Sequence, residues 1–304
     1  MVVFYTKPVQ EVASAQMKPC ILVSWTKKNG IHYSKMHLLE KEEYAFSKEK
    51  CEIKIGKSFL KGDLHKYEVH LDLPDIQVDM TLIGEVPAWR PGTGHVFFGK
   101  KEKQFFAWLP AVPKGKITGT FSYKNETKQL TGSGYHDHNW GNANMYYLMN
   151  HWYWSRVDMG EYTIIASQIV AQKKFGYAQV PIFMVAENGK ILADSAVEYL
   201  KFVPTEREIE PFSKRPLYQK IIFNYDSPTQ AYILTLQQKE VIEKRQFLEA
   251  LQGFKKRIAL LLQINSTYLR MTGEATLSVS KQGKTENLKG EAIWEQFYFG
   301  ENID

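Results

Sequence analysis

Ten consecutive residues, Gly132-Ser133-Gly134-Tyr135-His136-Asp137-His138-Asn139-Trp140-Gly141, hold one carboxyl, two imidazoles, a carboxamide, a phenol and an indole. No other stretch of the chain is so dense in groups that donate, accept or relay a proton near neutral pH. On a strand, alternate side chains face opposite ways. Tyr135, Asp137 and Asn139 would then share one face, and His136, His138 and Trp140 the other. An aspartic acid in apolar surroundings has a raised pKa and keeps its proton at neutral pH, the state needed to protonate a carbon–carbon double bond. A second cluster follows, His151-Trp152-Tyr153-Trp154-Ser155-Arg156. Its Trp152, Tyr153 and Trp154 are expected to line the apolar surroundings of Asp137 and to offer ring faces to a carbocation. If Arg156 instead approaches Asp137, its charge favours the carboxylate, which then acts as a base or an orienting group. The residues alone leave both readings open.

Each feature also has a purely architectural reading. A glycine-flanked strand with His, Asp and Asn can be a hydrogen-bonded corner, Asp137 satisfying backbone N–H groups and Trp140 filling core. His136 and His138 have a spacing that offers both imidazoles to a metal, but a third ligand would have to come from afar, from His95 or His151. No metal is therefore expected. The run Pro87-Ala88-Trp89-Arg90-Pro91-Gly92-Thr93-Gly94-His95 is stiffened by proline. It suits either a pocket rim, with Trp89 and His95 meeting ligand, or an ordinary surface loop.

The elements that must position these groups read as strands. Cys20–Trp25, Tyr67–Leu73 and Tyr162–Ala166 are short β-branched and aromatic stretches, several with alternating polarity. Asn29-Gly30, Asn188-Gly189 and Gln282-Gly283 supply the residues of tight hairpin turns. Strands joined by such turns imply antiparallel sheet, and no glycine-rich phosphate loop opens a helix, so no nucleotide coenzyme is expected. Residues 239–262 carry apolar side chains at helical spacing, and fit equally two strands broken at Gly253. The charged stretch from Glu198 to Pro216 contains three prolines and suggests two domains, 1–198 and 199–304. All eight histidines and six of the seven tryptophans fall in the first, which places the chemistry there.

Composition bounds the setting. The 304 residues carry a net charge of +6, but the lysines are scattered singly and in pairs among acids. That argues against nucleic acid and leaves only a weak attraction to anionic ligands or membrane surfaces. Cys20 and Cys51 have no metal or disulfide spacing and are expected to be reduced. With no leader-like start and no apolar run near the roughly 20 residues that span a bilayer, the expectation is a soluble, cytoplasmic protein without membrane insertion. Its oligomeric state is not legible.

GSGYHDHNWG, followed by HWYWSRVDMGEYTIIASQI and the MVAENGKIL hairpin, resembles the hydroxyneurosporene synthase family, the carotenoid hydratases. Related members include kievitone hydratase and fungal decalin-forming Diels–Alderases. The resemblance spans about residues 85–198, with a weaker echo at Gly290–Glu295. It implies an all-β fold of two tandem lipocalin-like antiparallel barrel or sandwich domains and a hydrophobic ligand cavity. The implied chemistry uses no redox coenzyme: hydration of an isolated double bond, or cyclisation of a bound polyene. Asp137 corresponds to the acid of the motif, with Tyr135, His138 and Asn139 as its catalytic neighbours. His136, Trp140, Trp152, Trp154, Arg156, Trp89 and His95 are expected to bind the hydrophobic substrate. In a pericyclic cyclase the motif would instead hold a folded polyene and hydrogen-bond its carbonyl. In a carrier of lipids or isoprenoids it would be architecture alone.

Overall fold

The computed structural model describes residues 1–6, 19–27, 32–38, 43–124, 126–194, 197–246 and 266–303. Twenty strands dominate it, and every pair with a defined register is antiparallel. Among the described residues, helix is limited to α1 (Met145–Leu148) and short 3-10 turns such as Lys173–Phe175 and Val197–Tyr199. The chain is all-β, as its alternating patterns require. Among the described residues no helix is long and apolar enough to cross a membrane.

Three sheets account for the strands. The first contains β1 (Val2–Tyr5), β2 (Cys20–Thr26) and β3 (His32–Leu38). The second contains β4 (Tyr44–Phe46), β5 (Cys51–Ile55), β6 (Ser58–Gly62), β7 (Lys66–Leu73), β8 (Ile76–Gly84), β9 (His95–Phe98), β10 (Gln104–Tyr123) and β11 (Glu126–Gly141). The third contains β12 (Met149–Met159), β13 (Tyr162–Ala171), β14 (Gln179–Glu187), β15 (Lys190–Asp194), β16 (Leu200–Ile209), β17 (Pro216–Asp226), β18 (Gln230–Gln246), β19 (Thr267–Lys281) and β20 (Lys284–Tyr298).

The chain forms two compact units, one of residues 1–90 and 108–140, the other of 91–107 and 141–304. In unit 1, Ile21 and Val23 of β2 share a core with Leu71 of β7, Val78 of β8 and Val112 of β10. Complete burial of such side chains contributes about 1.5–3 kcal/mol each. In unit 2 the nine-stranded sheet curls so that β14 touches β16, and its interior is filled by side chains such as Phe183, Phe223, Leu234, Met271 and Trp294.

The division expected at 198 runs through unit 2. Residue 198 lies in a 3-10 turn, Val197–Tyr199, that links β15 to β16, the two edges of one sheet. Two of the three prolines that suggested a linker are strand residues instead, and Pro211 lies in the turn between β16 and β17. Pro204 sits in edge strand β16 and Pro216 opens β17, places where a missing N–H is tolerated. Two of the expected hairpin turns are present, with φ of 50° and 77° at Asn188-Gly189 and 49° and 76° at Gln282-Gly283, the paired positive values that suit right-twisted strands. The Asn29-Gly30 hairpin lies outside the described residues. Of the ambiguous 239–262 segment, 239–246 continue β18 as strand, and the remainder lies outside the described residues.

Candidate active site

The motif forms the last part of β11, an edge strand of unit 1. Its glycines have separate reasons. A Cβ on Gly134 would lie 2.5 Å from Ile117 and 2.7 Å from Leu82, so β11 sits against the unit 1 core only because that side chain is absent. Gly132 faces open space. His136 continues the core-facing side, its ring 4.2 Å from that of Tyr67. His138 and Trp140 follow on the same side with ring centroids 5.0 Å apart.

The opposite face carries the carboxyl, as alternation requires. Trp108 Nε1 donates to Asp137 Oδ2 at 2.8 Å, and Asn139 Nδ2 donates to the same oxygen at 3.1 Å. The Tyr135 hydroxyl acts on the carboxyl in the same sense. These neutral donors favour the ionised form, and so does the neighbouring His138. Burial outweighs them and raises the Asp137 pKa above the ordinary carboxylate range. No guanidinium or ammonium is among the groups that act on it. The histidines are pushed the other way. Burial takes His136 down to about 4, with His138 adding to the effect, and burial also lowers His138. Among the described residues no three His, Cys, Asp or Glu side chains are placed to hold a metal.

Trp108 is the participant that the sequence reading missed. It lies on β10, 29 residues before Asp137, outside any motif, and reaches the carboxyl through the β10–β11 pairing. A lone tryptophan between alanine and leucine in a buried strand reads as plain core. Its one distinguishing signal is an indole N–H that must find an acceptor when buried. Trp89 packs edge-on against it at 6.1 Å, and its backbone N–H donates to Pro110 O at 3.0 Å. Trp89 is therefore a buried support behind Trp108, not the side chain of a pocket rim or an exposed loop.

The second aromatic cluster belongs to unit 2, and β12 divides it between two faces. Tyr153 points into the unit 2 core and its hydroxyl pairs with that of Tyr298 at 3.2 Å. The alternation expected along this strand is present, and it is the tyrosine that turns to the core. Trp152 and Trp154 lie half-buried on the other face, Trp152 against Phe297 at 4.9 Å and Phe299 at 5.1 Å. Arg156 forms an ion pair with Asp158, which also accepts from Thr163. His95 also belongs to unit 2, where it stacks on Phe97 at 5.9 Å and meets Phe105 at 5.1 Å. His151 is buried, donates from Nδ1 to Asn150 Oδ1 at 2.7 Å and is lowered to about 3, by burial and then by Arg215.

Comparison with known proteins places this arrangement. The family described as carotenoid hydratase CrtC matches residues 14–202, a longer stretch than the motif-bearing segment. A hydroxyneurosporene dehydrogenase of Chlorobaculum tepidum is 40% identical over 55 residues, 16% of this chain and 14% of that protein, so the chain spans well under two thirds of that relative. Among solved structures, CghA with Sch210972 superposes with a TM-score of 0.64 at 10% identity, covering 95% of this chain and 82% of the other. Kievitone hydratase from Nectria haematococca superposes with a TM-score of 0.57 at 15% identity, covering 93% and 80%. At these identities the structural likeness speaks for the fold.

Proposed function

We propose that this chain, which belongs to the carotenoid hydratase CrtC family, hydrates a double bond of an extended, apolar, unsaturated small molecule, with Asp137 as the acid. One observation carries the reading: a carboxyl with a raised pKa that has only neutral hydrogen-bond donors around it and no cation. Trp108 and Asn139 both donate to Oδ2.

The step balances with an acid and water alone. The Asp137 carboxyl transfers its proton to one alkene carbon, and the π pair forms the new C–H bond. The other carbon becomes cationic, and a water oxygen adds to it. The oxonium proton then returns to the carboxylate, so that the net change is addition of water. At the moment of transfer the Trp108 and Asn139 donors meet a developing negative charge on Oδ2, and their bonds strengthen when they matter. Tyr135 lies at the same carboxyl. His136 and His138, with lowered pKa values, remain neutral near pH 7 and add no positive charge beside a cationic intermediate.

In this reading Trp140 contacts the hydrophobic substrate, and Trp89 acts through Trp108. The same acid, or a hydrogen bond from His138 or Asn139, would equally start a cyclisation. A half-buried acid with a raised pKa favours the proton-first route, since a pericyclic closure does not require one. An Asp137→Asn variant keeps the shape and removes the proton, so turnover of a polyene substrate should fall by roughly a hundredfold or more while the melting temperature moves by only a few degrees. A folded variant with unchanged turnover would refute the role of Asp137.

A further inference from the structure

Lysine pairs that look scattered in the sequence are drawn together in unit 2. The tip of the β9–β10 hairpin carries Lys100, Lys101 and Lys103. It turns tightly at Gly99 and Glu102, with φ of 78° and 48° and a bond from Glu102 N to Gly99 O at 3.0 Å. Next to the tip, the Phe98 ring lies 5.7 Å from that of Phe175, in the 3-10 turn Lys173–Phe175. Phe175 in turn meets Tyr147 of α1 at 5.8 Å, and Lys174 rests over both the Tyr147 and Phe175 rings. Five lysines, 100, 101, 103, 173 and 174, thus flank one aromatic cluster.

The acids facing them are Glu102 at the tip and Glu301, which takes Lys173 at 3.2 Å. Lys100, Lys101 and Lys103 are exposed and make no ion pair among the described residues. Two large exposed rings lie on these elements, Phe97 of β9 with 49% of its surface exposed, on the face opposite Phe98, and Tyr147 of α1 with 46%. Phe97 is backed by Phe105 at 6.2 Å, so its orientation is fixed.

We infer that this hairpin tip and the adjoining 3-10 turn dock on an anionic lipid surface. Unpaired ammonium groups are drawn to acidic headgroups, each lysine near the surface strengthening binding about fivefold. An exposed aromatic ring next to the lysines of the tip suits the interface between headgroups and acyl chains. Charge alone would suit a nucleic acid as well; the projecting phenylalanine favours lipid. The docking rests on this surface and not on Asp137, although a water-insoluble substrate stored in a bilayer would give it a purpose.

The test is co-sedimentation of the full chain with phosphatidylcholine vesicles, with and without phosphatidylserine, in the absence of substrate. Binding should require phosphatidylserine and fade at high salt. Replacing Lys100, Lys101 and Lys103 together by alanine should weaken it on the order of a hundredfold, and Phe97→Ala with Tyr147→Ala should weaken it independently. A control with the same loss of charge elsewhere, at Lys201, Lys239 and Lys289, should bind like the parent. Circular dichroism would establish that each variant is folded. No preference for anionic vesicles, an equal loss in the control, or tighter binding to single-stranded nucleic acid than to vesicles would each overturn the inference.

Discussion

Asp137 and Glu210 are two carboxyls withdrawn from water, the first half-buried and the second fully, one in each unit, and their pKa values are shifted in opposite directions. Burial raises both, but at Glu210, only 1% exposed, Lys244 Nζ at 2.7 Å and the Ser213 backbone N–H at 2.6 Å more than reverse it and bring the pKa to about 2. At Asp137 the donors are an indole and a carboxamide, neither charged, and burial prevails. A cation within reach decides whether a buried carboxyl is an ionised bracket or a held proton. The fold supplies the cation at the terminus of β16 and withholds it at β11.

The largest effect is expected from giving Asp137 what Glu210 has. Asn139→Lys puts an ammonium where a carboxamide now donates at 3.1 Å. The carboxyl should ionise, and turnover should fall by about two orders of magnitude or more, with circular dichroism unchanged. Retained turnover in steady-state assays would show that the proton is not needed.

Taking the cation from Glu210 is the converse. Lys244→Met should destabilise unit 2 by about 2 kcal/mol, below the 3–5 of a fully buried pair because water already screens part of Lys244, whose side chain is 41% exposed. Chemical denaturation measures this. The pH signs are opposite too. Glu210, with its depressed pKa, contributes stability that is full above the unfolded carboxyl value and is lost as pH falls towards about 2. Asp137, with its raised pKa, contributes stability present below its unfolded value and lost as pH rises through its folded one.

A smaller change sharpens the account. Trp108→Phe removes one donor to the ionised form while keeping most of the packing against Trp89. The Asp137 pKa should rise further, so that the fall of activity with rising pH moves to higher pH, with roughly a tenfold loss of rate from the lost bond to developing charge. A pH–rate profile that stays in place would mean that Trp108 does not act on the carboxyl.

Much of this was legible in the sequence, for physical reasons. Period-2 alternation put Tyr135, Asp137 and Asn139 on one face, and β11 bears that out, because strand geometry leaves no other choice. The turn residues at Asn188-Gly189 and Gln282-Gly283 marked their hairpins, since positive φ restricts the residue types. Trp108 was not legible: its role depends on which strand pairs with β11, a long-range choice that local pattern does not encode. Nor was the inward turn of Tyr153, since a strand of three consecutive aromatics does not reveal which face meets the core. The stretch after 198 reads as a linker because Pro204 and Pro216 occupy an edge strand and a strand start, places that tolerate proline as a linker does.

The central claim is that Asp137 holds a proton at neutral pH, and carbon-13 NMR of protein labelled at the aspartate side-chain carboxyls tests it most directly. The account predicts one aspartate carboxyl resonance, absent from Asp137→Asn, that keeps the chemical shift of the protonated acid through pH 7. A resonance assigned to Asp137 that titrates near the ordinary aspartate value of about 4 would contradict it.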